Sequence, residues 1–410
     1  MNDSGTHCPY SVDGSRMREF VSDPQSAVAH LRSGSGIRFV KFEGREPAWL
    51  VTDPNMARSV LRDSRFVKTL RGDRNSSAGP RWRNTADLEP RLFRHMLNED
   101  GADHSRLRGA VSSWFSRASV ESLLPTVEAC SLRALERLEH VKEFDLVADY
   151  CLPYSYSVIA EILGISTSSM DDIVEAMLVV GGDSAPSDRE FRIACDQLVS
   201  FIDDLLHEAD SEDRPGLLRE LRRSRVFSDD EVSSLVFLLL IAGYETTANL
   251  MANFVFGILH GEFKSPALMG WEQWVEYFSS ELPSASSFQT TTHRRSQCDL
   301  DLGGRQVRRG DLVVVYLMSV NGSVGTELAS CISPFGYGPH FCLGRNLAVC
   351  EATVGIRLLF QRFPLMALIE DRSVGWREDL LIRGPVGLWC RGDGGPVSDT
   401  CHQATERVVR

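Results

Sequence analysis

The amino-acid sequence predicts a mainly α-helical fold carrying small β-sheets, and three observations predict it. Between residues 118 and 240 almost every stretch repeats its apolar residues at helical spacing, with only short polar breaks. A long helix-compatible pattern then runs without a proline from Ser228 to about His260. Strand-like patterns are confined to two regions, residues 37–52 and the part of the chain after 287.

Taken in order, residues 37–42 and 49–52 read as strands and 54–61 as a helix. Residues 71–90 are rich in Arg, Ser, Gly and Asn and lack periodicity, the pattern of a binding loop or lid and equally of a solvated connection. Helices follow at 120–138, 144–163, 169–180, 187–209 and 216–223. Ser228 with Glu231 three residues on forms a capping box, and the helix it starts would be about 45 to 50 Å long. A short helix at 272–282 precedes strands at 287–292, 298–302 and 312–317, with Gly303-Gly304 as a turn. Residues 343–360 read as the closing helix, 380–382 and 386–390 as a second sheet region, and 391–410 as a frayed tail.

No linker divides the 410 residues, so residues 1–410 are expected to form a single domain. With 43% hydrophobic and 24% charged residues the composition is that of a globular protein able to bury a large core. The net charge of -12 argues against nucleic acid as a partner. The first ten residues lack an apolar h-region, and the longest apolar run, 235–242, is far shorter than the roughly 20 residues that span a bilayer. The expectation is a soluble cytoplasmic protein without a membrane partner. Ten cysteines without C-x-x-C or Cys/His spacing fit a reducing compartment.

The sharpest local signal is Phe335-Gly336-Tyr337-Gly338-Pro339-His340-Phe341-Cys342-Leu343-Gly344-Arg345-Asn346-Leu347-Ala348. Two glycines allow a turn to fold tightly against a flat ligand, and Cys342 falls where the next helix presents free N–H groups that favour a thiolate. The spacing F-G-x-G-x-H-x-C-x-G-x-x-L-A resembles the haem-binding signature of the cytochrome P450 family, in which such a thiolate is the axial ligand of haem iron. The resemblance implies the fold of that family, with the long central helix over haem b and the cysteine loop below it. It also implies cofactor contacts from Phe335, Gly336, His340, Gly344 and Ala348, and a metal bond from Cys342.

A second signal, Ala242-Gly243-Tyr244-Glu245-Thr246-Thr247, interrupts an apolar run with an acid and two hydroxyls. Alone, the threonines would as readily bond to the preceding turn. With Cys342 in the same chain, the stretch resembles the family's oxygen-activation segment. Ala242 and Gly243 would then leave room over the iron, Thr246 would supply the hydroxyl, and Glu245 would act as proton relay. The two haem propionates need cationic partners. His104 and Arg108 match the family's H-x-x-x-R helix, and Arg294 and His340 occupy the other two positions.

Two features depart from the family pattern. The E-x-x-R motif is missing: an ungapped reading puts Ser280 and Pro283 there, and a shifted one Glu276 and Ser279. The 21 positions from Asn321 to Cys342 are also short for the family and lack the usual Pro- and Arg-containing meander. The buried ionic network those residues form elsewhere looks deleted as a unit, which can be nearly neutral where loss of one partner costs about 3 to 5 kcal/mol.

The resemblance implies a haem-thiolate monooxygenase that activates O₂ to hydroxylate or oxidatively couple an organic substrate. Actinobacterial secondary metabolism, with polyketide, macrolide or peptide substrates, free or carrier-bound, is the expected setting. Electrons would come from NAD(P)H through a ferredoxin and its reductase, to a monomer. Residues 71–96, 171–192, 239–247 and 283–292 are the expected pocket walls. Two alternatives stand beside it: a haem-thiolate enzyme of non-hydroxylating type, performing peroxide-driven oxidation, cyclisation or rearrangement, and a non-catalytic P450-like accessory protein that activates a glycosyltransferase.

Overall fold

The computed structural model describes residues 10–12, 36–42, 46–70, 89–166, 173–181, 187–211, 215–224, 226–285, 290–317, 334–377 and 381–392. The expected loop at 71–90 lies almost wholly outside these residues, as do most of the shortened stretch before Cys342 and the tail beyond 392.

The first part of the chain holds β1 (Tyr10–Val12), β2 (Ile37–Phe42), β3 (Ala48–Val51), α1 (Pro54–Arg62), β4 (Phe66–Val67), α2 (Pro90–Phe93) and α3 (Gly101–Val111). The helical middle holds α4 (Arg117–Glu136), β5 (Glu143–Asp145), α5 (Leu152–Leu163), α6 (Val174–Gly181), α7 (Asp188–Ser211), α8 (Leu217–Ser224) and α9 (Asp229–Leu259). After α10 (Trp271–Ala285) come β6 (Thr291–Ser296), β7 (Leu300–Leu302), β8 (Arg305–Val307), β9 (Leu312–Tyr316), α11 (Arg345–Arg362), β10 (Ala367–Leu368) and β11 (Trp389–Arg391). Six strands form one sheet in the order β1-β2-β3-β9-β6-β4, and β10-β11-β5 and β7-β8 form two smaller ones. The mainly helical architecture with small sheets is as the sequence predicts.

The long helix forms as its cap requires. The Ser228 hydroxyl accepts from the Glu231 amide at 3.2 Å while the Glu231 carboxylate accepts from the Ser228 amide at 3.1 Å. Its 31 residues span about 46 Å. By length and composition α9 could cross a membrane, a test that the short apolar run at 235–242 had not anticipated. Yet 78% of its most apolar window is buried in the protein, as in the core helix of a globular fold. It packs on α5, α11, α2 and α7. Gly243 is required there, because a Cβ at this position would lie 2.9 Å from Ile159 Cδ1 of α5.

One expected helix is divided. Residues 144–163 begin as strand β5, pass through a π-helical turn (Leu146–Cys151) and only then become α5. The Asp145 carboxylate accepts from the amides of Val147 at 3.0 Å and Leu388 at 2.9 Å, which pins this end to β11. Pro153 has no N–H to continue a regular ladder behind it. In the described part of the expected strand at 380–382, the Leu381 carbonyl accepts from the Thr290 amide at 2.9 Å and Ile382 is a bridge residue rather than part of a strand.

Candidate functional site

Cys342 lies in the turn between a single 3₁₀ turn (Gly338–His340) and α11. The turn closes through the Cys342 amide, which donates to the Phe335 carbonyl at 2.9 Å, and the Phe341 amide, which donates to Gly338 at 3.0 Å. Gly336 and Gly338 both adopt positive φ, +83° and +75°. At Gly338 a Cβ would also lie 2.5 Å from the Leu61 carbonyl oxygen at the end of α1, so only glycine fits. Arg345 covers the Phe335 ring at 5.8 Å. Gly344 is the N-cap of α11 and offers no side chain, and the Cys342 sulfur receives the amide N–H groups of Gly344 and Arg345. Burial pushes the Cys342 thiol up, while those two amides and the charges of Arg108 and Arg345 pull it down. The residue keeps some accessible surface, as do Phe341, Leu343, Gly344 and Ala348 around it.

Beside the turn, His104, His340, Lys68 and Arg294 gather around the Asp100 carboxylate, with Arg108 next to them towards Cys342. His104 and Arg108 share a face of α3, and the His104 ring lies against that of His340, tilted by 44° with centroids 4.3 Å apart. His340 Nε2–H donates to Asp100 Oδ1 at 2.9 Å, across 240 residues of sequence, and the Lys68 amide donates to Asp100 Oδ2 at 2.7 Å. Asp100 therefore does not cap α3, although it stands at the N-cap. Strand alternation sends the β6 arginines to opposite faces. Arg295 pairs with Glu46, while Arg294 shares its face with Thr292, whose hydroxyl also accepts from Lys68 Nζ at 3.4 Å.

Burial shapes the electrostatics of this cluster. It drives Lys68 well below the usual ammonium range, with Arg294 lowering it further and Asp100 raising it. Burial also brings Arg294 down to about 10 and His340 down to about 4, so the imidazole is neutral at pH 7. For Asp100 burial works upward, but the His340 and Lys68 hydrogen bonds outweigh it and hold the carboxyl below its ordinary value. Lys68 and Arg294 are both taken out of water beside a single carboxylate, and an anionic ligand there would restore the charged form of the amine and pair with the guanidinium.

On α9, Ala242 is exposed and Thr246, one turn later, is half-buried, in a helix whose following residues, 247–255, are buried. Thr246 Oγ1 donates to the Ala242 carbonyl at 2.7 Å, and Thr247 Oγ1 to Gly243 at 3.1 Å. A Cβ on Gly243 would meet Ile159 of α5, so this glycine lets the two helices approach, and Ala242 is the exposed small residue beside it. Glu245 is corrected in place. It is buried, and its carboxylate pairs with the guanidinium of Arg377 rather than turning towards Thr246. Successive helical residues point about 100° apart, so the acid and the alcohol leave the helix on different sides.

A family model described as "Cytochrome P450" matches residues 330–373, the segment that contains the Cys342 turn and α11. Cytochrome P450 105C1 from Streptomyces sp is 30% identical over 387 residues, covering 91% of this chain and 96% of that protein. The chain belongs to the cytochrome P450 family. Mycinamicin VIII C21 methyl hydroxylase from Micromonospora griseorubida is also 30% identical, over 79% of this chain and 85% of its own length. Among solved structures, the tirandamycin C-bound P450 monooxygenase TamI superposes with a TM-score of 0.75 at 27% identity, covering 94% of this chain and 100% of TamI.

The P450 family holds haem through a cysteine thiolate. The residues present fit that group: a thiol receiving two helix amides, with Arg108 acting on it, and beside the turn the buried donors His340, Arg294 and Lys68 for two carboxylates.

This P450 secures its α10 helix without the E-x-x-R pair. Ser280 is exposed and its hydroxyl bonds to the Tyr277 carbonyl at 2.8 Å, and Glu276 and Ser279 also face solvent. The helix is anchored instead by Trp274, fully buried, whose Nε1–H donates to the Thr353 carbonyl of α11 at 2.9 Å. Phe278 and Phe254 pack on it. Sequence reasoning missed Lys68, Asp100 and Arg377. A signal existed for Asp100, a capping residue type directly before the H-x-x-x-R helix, but none for the other two.

Proposed function

We propose that this P450 is a monooxygenase that hydroxylates, or oxidatively couples, a secondary metabolite of the polyketide, macrolide or peptide class. Relatives named for mycinamicin and 6-deoxyerythronolide B hydroxylation support the substrate class. Free and carrier-bound substrates both belong to this reading. The single observation that carries the reading is that His340, two residues before Cys342, bonds Asp100 at 2.9 Å and lies against the His104 ring at 4.3 Å, which brings the cysteine turn to the H-x-x-x-R helix.

In this reading Cys342 is the metal ligand, and Phe335, Gly336, Gly344 and Ala348 form the turn and helix start that lie against the macrocycle. Arg294, Arg108, His104 and His340 bind the propionates, joined by Lys68, while Asp100 orients His340 through its 2.9 Å hydrogen bond. Haem, once bound, supplies the activation of O₂ and the insertion of one oxygen atom into a substrate C–H bond. Thr246 donates its hydroxyl proton to the Ala242 carbonyl, which leaves the Oγ1 lone pairs to accept a hydrogen bond and so position an ordered water as the proton donor. Ala242 keeps that face open to substrate. The protein acts as a cytoplasmic monomer of one domain, and electrons reach it from NAD(P)H through a ferredoxin and its reductase.

Turnover of a macrolactone under isotopically labelled O₂ tests this. One labelled oxygen atom per hydroxylated product molecule, or a coupled product formed only with O₂ consumed, supports the reading, and a hydroxylated product whose new oxygen is unlabelled contradicts it.

A further inference from the structure

Glu245, Asn249 and Asn253 recur every fourth residue of α9 and are all buried, a polar stripe in an otherwise apolar helix. The three face one segment whose described residues are Trp376-Arg377 and Arg383-Gly384-Pro385. Arg377 pairs with the Glu245 carboxylate. Asn253 Nδ2–H donates to the Arg383 carbonyl at 2.9 Å. Gly384 approaches so closely that a Cβ there would lie 1.7 Å from Asn249 Oδ1. The segment is itself closed by the Arg377 amide, which donates to Gly384 at 3.0 Å, by the Val386 amide, which donates to Gly375 at 2.7 Å, and by the Trp376–Pro385 bridge. Trp376 meets Phe256 of α9 edge-on at 5.1 Å.

We propose that Arg377 is a positioning residue for proton delivery: it fixes the Glu245 carboxylate, one residue from Thr246, and ties it to Trp376-Arg377 and Arg383-Gly384-Pro385. A carboxylate taken out of water needs hydrogen-bonding partners. Arg377 supplies one with a side chain only 25% exposed, against 6% for Glu245. Because the pair looks away from Thr246, the acid acts on the hydroxyl through the local field and through water, not by direct contact. This inference rests on the monooxygenase reading.

The test compares wild type with Arg377→Gln, Arg377→Lys, Glu245→Gln and the double variant Glu245→Gln/Arg377→Gln in the haem-loaded protein. Two readouts are taken: hydrogen exchange at the Arg377 and Val386 amides, and product formed per electron consumed. Arg377→Gln and Glu245→Gln should each lower product per electron by about tenfold or more, and Arg377→Lys should recover most of it. The double variant leaves no unpaired buried charge, so its exchange protection should return to wild type. Its coupling should stay low. A double variant that recovers coupling together with protection would overturn the proposal, since the pair would then be structural. So would an Arg377→Gln protein as well coupled as wild type. A wild-type chain without thiolate-ligated haem would overturn the monooxygenase reading itself, and the proposal with it.

Discussion

The rings of His104 and His340 lie 4.3 Å apart although one belongs to α3 and the other to the turn before Cys342. Asp100 bonds His340 from one side and the Lys68 backbone from the other, so the helix start, the end of β4 and the cysteine turn are joined at one carboxylate. The same contact aligns two of the four residues predicted to hold the propionates, and Arg294 completes the wall from β6.

Arg294→Met should weaken haem binding while leaving the fold intact. The side chain is fully buried and its guanidinium bonds to the His293 carbonyl at 2.7 Å, leaving other N–H groups for a propionate. A lost charge-assisted hydrogen bond is worth about 1.5 to 3 kcal/mol, roughly ten- to a hundredfold in affinity. Haem transfer to an acceptor protein measures it, and wild-type retention would remove Arg294 from the site.

Gly338→Ala should be costly for a different reason. A residue with a side chain must adopt φ near +75° and push its Cβ to within 2.5 Å of the Leu61 carbonyl oxygen. The strain is about 1 to 3 kcal/mol before any displacement of the turn. Denaturant unfolding should show the loss, with lower haem occupancy because Cys342 moves with the turn.

Trp274→Ala should destabilise by about 3 to 5 kcal/mol, the range for emptying a large aromatic site. It also leaves the Thr353 carbonyl without its indole donor. A loss of under about 1 kcal/mol in urea unfolding would mean that α10 is held by something other than this anchor.

His95 sets a pH dependence. Burial lowers its pKa to about 3, with the Lys68 charge adding to the effect, and its Nδ1 has no hydrogen-bond partner. The folded protein thus keeps His95 neutral while the unfolded chain protonates near pH 6.5. Its contribution to stability is complete above pH 6.5 and is lost as the pH falls from there towards 3. His95→Phe, against Phe237 whose ring centroid lies 6.4 Å away, should flatten the stability-pH curve in that window by one proton, about 1.4 kcal/mol per pH unit. An unchanged slope would show that His95 is protonated in the fold.

The parts of the site legible in the sequence were those whose geometry is local. The cysteine turn, the i, i+4 pair His104 and Arg108, and the capping box of α9 each follow from spacing within one turn or helix. Lys68, Asp100 and Arg377 were hidden because their roles come from pairings across the fold, with His340, Thr292 and Glu245, that no local pattern encodes. Glu245 shows the limit of local reading: its neighbour in sequence is Thr246, but its partner in space is Arg377, 132 residues away. Likewise the missing E-x-x-R was visible, whereas its replacement by the Trp274 anchor depends on how α10 meets α11.

The most direct test of the central claim is the difference spectrum of the reduced, CO-bound protein, with haem content quantified on the same sample and on Cys342→Ala. The account predicts one haem per chain, the strongly red-shifted Soret band of thiolate ligation in the wild type, and its absence in the variant. Substoichiometric haem, a band at the position of a neutral or protonated ligand, or a red-shifted band that survives in Cys342→Ala would contradict it.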